Sequence, residues 1–222
     1  MENKYKFKPT KIGSLFKLSI AEEVANATSH GILALIYLIA LPFISVYAYN
    51  QSGWIKVISV SILLICHFFM LICSCLYHSM EFASIHKKIF RILDHCAIYI
   101  AIAGTFSPVC IMIISPPINY IILFIQWIMV IIGIILKATK LNKNNKTNLL
   151  FYIIMGWMGL IIVKDIFNKS LLFFILILMG GILYSIGTIF YIQKTKGFYH
   201  FVWHCFIIIA SLSHVCAIIF LI

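Results

Sequence analysis

Residues 55–78, IKVISVSILLICHFFMLICSCLYH, form a run of 24 residues in which Lys56 is the one Lys, Arg, Asp or Glu. A helix needs about 20 predominantly apolar residues to cross the roughly 30 Å hydrocarbon core of a bilayer. This run is therefore long enough to span a membrane as a helix. Its polar residues Ser74 and His78 fall near its C-terminal end.

Six further runs share this apolar character and cover residues 31–49, 93–114, 118–136, 149–167, 171–192 and 199–221. We therefore predict an all-α integral membrane protein, a bundle of seven transmembrane helices. The run 149–167 is the weakest, because Lys164 and Asp165 interrupt it near its end, and without it the count becomes six. We further predict a basic N-terminal tail over residues 1–18 and a single domain over residues 19–222.

The composition excludes a soluble protein and argues against a nucleic-acid partner. Of the 222 residues, 63% are hydrophobic and 10% are charged, and the mean hydropathy is +1.08. A soluble domain keeps roughly a quarter of its residues charged. The net charge of +11 lies in the breaks between apolar runs, without a basic stripe interleaved with aromatic residues. The predicted partner is the lipid bilayer. The odd count of seven cysteines, with no C-x-x-C pair, predicts free thiols.

The distribution of positive charge predicts the orientation of the chain. With seven spans, 14 of the 17 Lys and Arg residues fall on one side of the membrane. They are Lys4, Lys6, Lys8, Lys11, Lys17, Lys87, Lys88, Arg91, Lys137, Lys140, Lys143, Lys146, Lys194 and Lys196. Because positive residues mark the cytoplasmic side, the N-terminus is predicted inside and the C-terminus outside.

This topology brings five polar residues to one membrane depth near the cytoplasmic face. Ser74 and His78 end the second run, Asp94 begins the third, and His200 and His204 begin the seventh. His200 and His204 are four residues apart and so share one helix face. Two imidazoles one turn apart can bind a single Zn²⁺, and His78 would supply the third ligand.

Three protein ligands leave the fourth position of a zinc site to water, the pattern of catalytic sites. Asp94 is then predicted to accept a proton from that water, and Ser74 to orient the water or a bound carbonyl. Two simpler interpretations stand beside this one. Each histidine could hydrogen-bond to a neighbouring helix, and Asp94 could pair with Arg91 or Lys88 at the membrane interface.

The segment before the first span carries further polar residues. A short leading helix is expected there, because Ser19 and Glu22 have the spacing of a capping box. The segment contains Glu22, Glu23, Asn26 and His30. These residues either form a polar lid that orients the metal ligands, or belong to a solvated amphipathic helix at the interface. His67 and His214 lie too deep in their spans for the same site.

At these residues the sequence resembles the hemolysin III family of the progestin-and-adipoQ-receptor superfamily, in order over residues 20–222. The matching stretches are Glu22-Glu23-x-x-Asn26-x-x-x-His30, Ser74-Cys75-Leu76-Tyr77-His78, Asp94-His95-Cys96-Ala97-Ile98-Tyr99, Ala103-Gly104-Thr105-Phe106-Ser107-Pro108, Met155-Gly156-Trp157, and His200-x-x-x-His204 followed by His214. The likeness is strongest to the small bacterial inner-membrane members.

The resemblance implies a seven-helix bundle with a zinc ion near the cytoplasmic face of a bacterial inner membrane. It implies ligands at His78, His200 and His204, and it matches Asp94 and Ser74 to the remaining polar residues of the family pattern. The wider superfamily includes adiponectin receptors and alkaline ceramidases, which implies metal-dependent hydrolysis of a lipid amide.

The leading hypothesis is thus a zinc-dependent membrane hydrolase that acts on a lipid-like amide or ester. One alternative is a non-enzymatic sensor or homeostasis protein in which zinc only ties helices together. Another is a cytolytic pore, which the family name implies but which none of these residues explains.

Overall fold

The computed structural model describes residues 11–12, 15–139 and 145–222, and these residues are almost entirely helical. The helices are α1 (Ile20–Ser79), α2 (Ile85–Met112), α3 (Ile118–Ala138), α4 (Asn145–Trp157), a 3₁₀ helix (Met158–Ile162), α5 (Val163–Lys169), α6 (Leu171–Ile192) and α7 (Tyr199–Leu221). Two-residue strands β1 (Lys11–Ile12) and β2 (Leu15–Phe16) pair antiparallel before α1. The rest of the predicted basic tail, and residues 140–144 of the polar loop, lie outside the described residues.

Six helical segments in the described part of the chain are long and apolar enough to cross a membrane. They are α1, α2, α3, the segment Thr147–Lys169, α6 and α7. The all-α membrane class is therefore confirmed. The bounds of α6 and α7 coincide with the predicted runs 171–192 and 199–221. Large apolar side chains cover the outside of the bundle, as expected of a surface that faces lipid.

The 60-residue α1 changes direction within its length. Ser52 (φ −148°, ψ 23°) and Gly53 (φ 64°, ψ −157°) are not helical and divide it into two parts, which we call α1a (20–51) and α1b (54–79). Glycine adopts a positive φ without the steric cost that a Cβ atom imposes. The ring of Tyr37 lies 6.4 Å from that of His67, and a Cβ atom on Gly31 would lie 3.0 Å from the Cys75 sulfur. These contacts show that α1b returns antiparallel along α1a.

Helices α1, α2 and α7 form the centre of the bundle. The most apolar windows of these three helices are 56%, 67% and 56% buried, whereas that of α6 is 17% buried. The contacts of α1 with α2 and of α6 with α7 are the most extensive. The ends of three central helices therefore meet inside protein, where polar side chains are shielded from lipid.

The start of α1 differs in detail from the predicted capping box. The Ser19 hydroxyl accepts a hydrogen bond from the Glu22 N–H at 3.1 Å, as an N-cap should. The Glu22 carboxylate does not return to Ser19 but faces the backbone N–H groups that begin α7, at Phe198, His200 and Phe201. The expected leading helix forms the first turns of α1, which continues without a break into the first apolar run.

Candidate metal site

Three imidazoles converge at one end of the bundle. His78 lies in the last turn of α1b, while His200 and His204 lie in the first two turns of α7. The His200 Nε2 atom is 3.2 Å from His78 Nε2 and 3.3 Å from His204 Nε2. All three rings are buried, and one nitrogen from each lies within 4.8 Å of the others. The structure thus brings the three predicted ligands together.

The spacing of these nitrogens fits a single metal ion. At Zn–N distances of 2.0–2.1 Å, tetrahedral geometry separates two ligand nitrogens by about 3.3–3.4 Å. The observed 3.2 and 3.3 Å agree with that separation. Cations that imidazole binds well include zinc, copper, iron and nickel, so the geometry by itself supports a metal site without selecting the ion.

Glu23 fixes the orientation of one of these rings. The His78 Nδ1 atom lies 2.7 Å from Glu23 Oε2. Because a carboxylate accepts, Nδ1 carries the proton and the Nε2 lone pair points toward His200 and His204. The second Glu23 oxygen accepts a hydrogen bond from Lys87 Nζ at 2.8 Å. Such a carboxylate on the far nitrogen of a ligand is the usual way in which proteins hold a metal-binding histidine.

Lys87 also closes the end of α1b. Its ammonium group donates to the carbonyl oxygens of Tyr77 at 3.2 Å and Met80 at 3.1 Å, in addition to Glu23. Its side chain is 1% exposed. From the sequence, Lys87 was expected only as one of the positive residues that mark the cytoplasmic side. All three donors of the ammonium group are used, so a buried charge is fully compensated. No sequence pattern marks Lys87, since its partners come from α1a, from the end of α1b and from Met80, which follows α1b.

Glu22, Asn26 and His30 are buried, which rules out the solvated amphipathic helix. They are 4%, 0% and 1% exposed. The His30 ring stacks on His204, with centroids 4.0 Å apart and an angle of 26° between the planes. The burial of these residues beside His204 agrees with the polar lid, and its role in orienting the candidate ligands stays a prediction. Their i, i+4 and i+8 spacing, which places all three on one helix face, was the sequence signal for this buried polar face.

Asp94 and Ser74 lie beside the three imidazoles. The Ser74 hydroxyl interacts with the Asp94 carboxylate, which also has His78 as its largest electrostatic partner. Asp94 lines a small open pocket together with His200. Its side chain is 16% exposed, and its Oδ2 atom is 3.5 Å from His95 Nδ1. The positive charge of Arg91 also stabilises the Asp94 carboxylate, so the predicted interaction of Asp94 with Arg91 is present. The other predicted partner, Lys88, is exposed.

His67 and His214 belong to a different region, as expected from their depth. His67 Nδ1 lies 3.0 Å from the Leu63 carbonyl oxygen, and His214 Nε2 lies 2.9 Å from that of Ile177. The seven cysteines, all within the described residues, are free thiols, in agreement with the sequence.

Comparison with known proteins places the chain among relatives of similar length. The sequence model of a family described as haemolysin-III related matches residues 18–215. The chain is 36% identical over 190 residues to "Hemolysin-3" of Bacillus cereus, covering 85% of this chain and 86% of the relative. It is 35% identical over 206 residues to the "Hemolysin-3 homolog" of Bacillus subtilis (strain 168), covering 91% and 95%.

A more distant relative is the human "Monocyte to macrophage differentiation factor", 25% identical over 212 residues, covering 91% of this chain and 85% of the relative. The family match and the two bacterial relatives agree with the resemblance inferred from the motifs. The chain therefore belongs to the haemolysin-III-related family.

Proposed function

We propose that the protein is a zinc-dependent membrane hydrolase whose substrate is a lipid-like amide or ester. The observation that carries the proposal is the convergence of three Nε2 atoms at 3.2 and 3.3 Å beside a carboxylate and a hydroxyl. Three histidine ligands and an open fourth position are typical of catalytic zinc sites. A bound Zn²⁺ would lower the pKa of a water molecule toward 7 and polarise a carbonyl group.

Asp94 and Ser74 would perform the proton transfer and the positioning. Asp94 interacts electrostatically with His78, and its carboxylate is not bonded to a ligand ring, whereas that of Glu23 is bonded to His78. Its contact with the pocket gives it access to water, so it can accept a proton there. The Ser74 hydroxyl can hold the Asp94 carboxylate or donate to a substrate carbonyl.

An apolar cavity supports a substrate with an acyl chain. It is an open cavity of about 160 Å³ among α2, α4, α5, α6 and α7, and its walls include Phe106, Trp157 and Trp203. Trp203 directly precedes the ligand His204 in the chain. Ligand sites are mostly apolar with a few polar groups, and a hydrocarbon chain could enter this cavity from the bilayer.

We further propose seven membrane crossings, with the N-terminus and the metal site on the cytoplasmic side of a bacterial inner membrane. The reversal at Ser52 and Gly53 supports the count, because α1a and α1b are each long enough to span hydrocarbon. We also propose that residues 19–222 form a single domain. The asymmetry of Lys and Arg supports the orientation.

The hydrolase is tested with the purified full chain in detergent. Metal content is measured by mass spectrometry, and turnover is measured on an N-acyl sphingoid amide and on an acyl ester. Asp94→Asn keeps the size of the side chain and should lower turnover by about 10²- to 10⁴-fold, with the metal retained. Asp165→Asn is the matched control, because Asp165 is exposed.

Two results would count against the proposal. A wild-type protein without stoichiometric metal removes its basis. A metal-loaded wild type that cleaves neither substrate, or an Asp94→Asn variant with full turnover, leaves the structural alternative in which the ion only joins α1b to α7. The names of the Bacillus relatives suggest lysis, so release of haemoglobin from erythrocytes is measured on the same variants. Lysis that is unchanged in His204→Ala would be independent of the metal site.

A further inference from the structure

Helices α1a and α7 run parallel to each other beside the candidate metal site. The His30 ring lies 4.0 Å from that of His204, and the Tyr37 hydroxyl lies 2.8 Å from that of Ser211. The two residues of each pair are 174 positions apart in the chain, 204 less 30 and 211 less 37. Because both contacts share this offset, residues of α1a and α7 that differ by 174 positions lie at the same level of the bundle.

This register places Asn26 beside the candidate ligand His200. Asn26 is one helical turn before His30 on the same face of α1a, and His200 precedes His204 by the same interval on α7. The two helices remain close there, because the Glu22 carboxylate, one further turn back, faces the backbone N–H groups that begin α7. His200 also interacts electrostatically with His30. The Asn26 amide therefore lies next to the first turn of α7.

The polar atoms at this level are buried and lack hydrogen-bond partners. Asn26 is 0% exposed, and neither its Oδ1 nor its Nδ2 atom has a hydrogen bond to the described residues. The same is true of Glu22 Oε1 and His200 Nδ1. Buried polar groups of native proteins are rarely left in this way, because they forgo the hydrogen bonds that water would supply. An unpaired amide beside a candidate metal ligand therefore needs an explanation.

A metal ion at His200 Nε2 would fix the roles of these four atoms. Nε2 lies 3.2 Å from His78 Nε2 and 3.3 Å from His204 Nε2, so it is the nitrogen that binds and Nδ1 carries the proton. His200 Nδ1 and Asn26 Nδ2 are then donors, and Asn26 Oδ1 and Glu22 Oε1 are acceptors. An amide nitrogen cannot donate to its own oxygen. One arrangement therefore pairs all four atoms: Nδ2 donates to Glu22, and Oδ1 accepts from His200.

We propose that Asn26 is a positioning residue that holds the His200 imidazole for metal binding. Its amide rotates so that Oδ1 accepts from His200 Nδ1–H, while Nδ2 donates to Glu22 one turn earlier on the same helix face. Glu22 thereby supports His200 through an amide, whereas Glu23 bonds to His78 directly. Such partners on the far nitrogen orient ligand histidines and raise their basicity. The inference rests on the metal site of the proposed function, but it needs no turnover.

The zinc affinity of the purified full chain tests this role. The protein is stripped with a chelator, and Zn²⁺ binding is measured by competition with a chromophoric chelator. Asn26→Leu keeps a side chain of comparable size without an acceptor and should weaken binding by about 10- to 100-fold. Gln126→Leu is the control, because Gln126 is a buried amide of α3 whose partners are Met155 and Met158, and it should leave the affinity unchanged. Equal affinities for these two variants overturn the proposal.

Two further measurements separate positioning from packing. Asn26→Asp keeps an acceptor oxygen and should bind Zn²⁺ more tightly than Asn26→Leu, and an Asp variant as weak as the Leu variant contradicts the proposal. Thermal unfolding of the stripped protein should show Asn26→Leu at least as stable as the wild type, because the variant removes a buried amide without a partner. Weaker binding together with lower stability of the stripped protein would indicate a packing role and overturn the proposal.

The role of Asn26 and the hydrolase can fail separately. A wild type that cleaves neither substrate, with the Asn26 variants changing zinc affinity as expected, contradicts the hydrolase and supports the positioning role. Turnover by the wild type, with equal zinc affinities for the wild type and Asn26→Leu, does the reverse. A wild type that binds no zinc contradicts both, since each requires the ion.

Discussion

The Glu23 carboxylate and the His78 imidazole are 55 residues apart in the chain and meet at 2.7 Å. Their contact joins the first turns of α1a to the last turn of α1b, so the hairpin that reverses at Gly53 closes on a candidate metal ligand. Among the three imidazoles, the two of α7 have buried Nδ1 atoms with no hydrogen bond to the described residues. His78 is therefore the one of the three rings that a carboxylate holds in place. Variants of Glu23 test whether this contact affects metal binding.

Replacement of Glu23 with Gln should weaken zinc binding by about 10- to 100-fold, because the amide is a poorer acceptor for the His78 N–H and leaves Nε2 less basic. The affinity is measured by competition with a chromophoric chelator on purified protein. Glu81→Gln is the control, because Glu81 is exposed at the end of the same hairpin. Equal affinities for the two variants would show that Glu23 does not orient the ligand.

Replacement of Lys87 with Met should destabilise the fold by about 3–5 kcal/mol, the usual cost of removing one partner from a buried ion pair. The variant keeps an unbranched side chain that is one atom shorter, but it leaves the Tyr77 and Met80 carbonyls without their donor. Thermal unfolding in detergent measures the loss. Lys88→Met, at an exposed position, should stay within about 0.5 kcal/mol of the wild type. A Lys87→Met protein as stable as Lys88→Met would contradict this account.

Replacement of Gly187 with Ala should cost about 1–3 kcal/mol through overpacking. A Cβ atom there would lie 2.7 Å from the Trp203 ring and 2.9 Å from the Phe206 Cβ atom, at the contact of α6 with α7. Gly181→Ala, on the same helix, meets nothing within 4 Å and should be tolerated. The two variants are compared by thermal unfolding. Equal stability would mean that α6 and α7 do not pack as closely as described.

Reporter fusions test the crossing count. Alkaline phosphatase inserted between Ser52 and Gly53, or fused after residue 222, should be active because both positions are proposed to lie outside. Green fluorescent protein fused before residue 1 should fluoresce because that end is proposed to lie inside. The surroundings of Gly53 are open, so the insertion meets no packed neighbour. Inactive phosphatase at both positions, with fluorescence at residue 1, would refute the seven crossings.

The helices could be predicted from local sequence because the thickness of the hydrocarbon core sets one length for every crossing. The runs 171–192 and 199–221 match α6 and α7, and the Ser115-Pro116-Pro117 break lies between α2 and α3. The polar stretch around Ser52 also marks the reversal of α1. Three of the site residues, His78, His200 and His204, followed from membrane depth together with the four-residue spacing on α7.

Depth along a helix can be counted from sequence, but rotation about the helix axis and the choice of neighbour cannot. The sequence alone determined that His78 and the two histidines of α7 lie at one level of the bundle. Only the tertiary structure decided that Lys87 turns inward to Glu23, that His30 stacks on His204, and that Lys194 lies beside Arg91. The physical reason is that each of these contacts joins side chains from different helices, and packing of the whole bundle sets which faces meet.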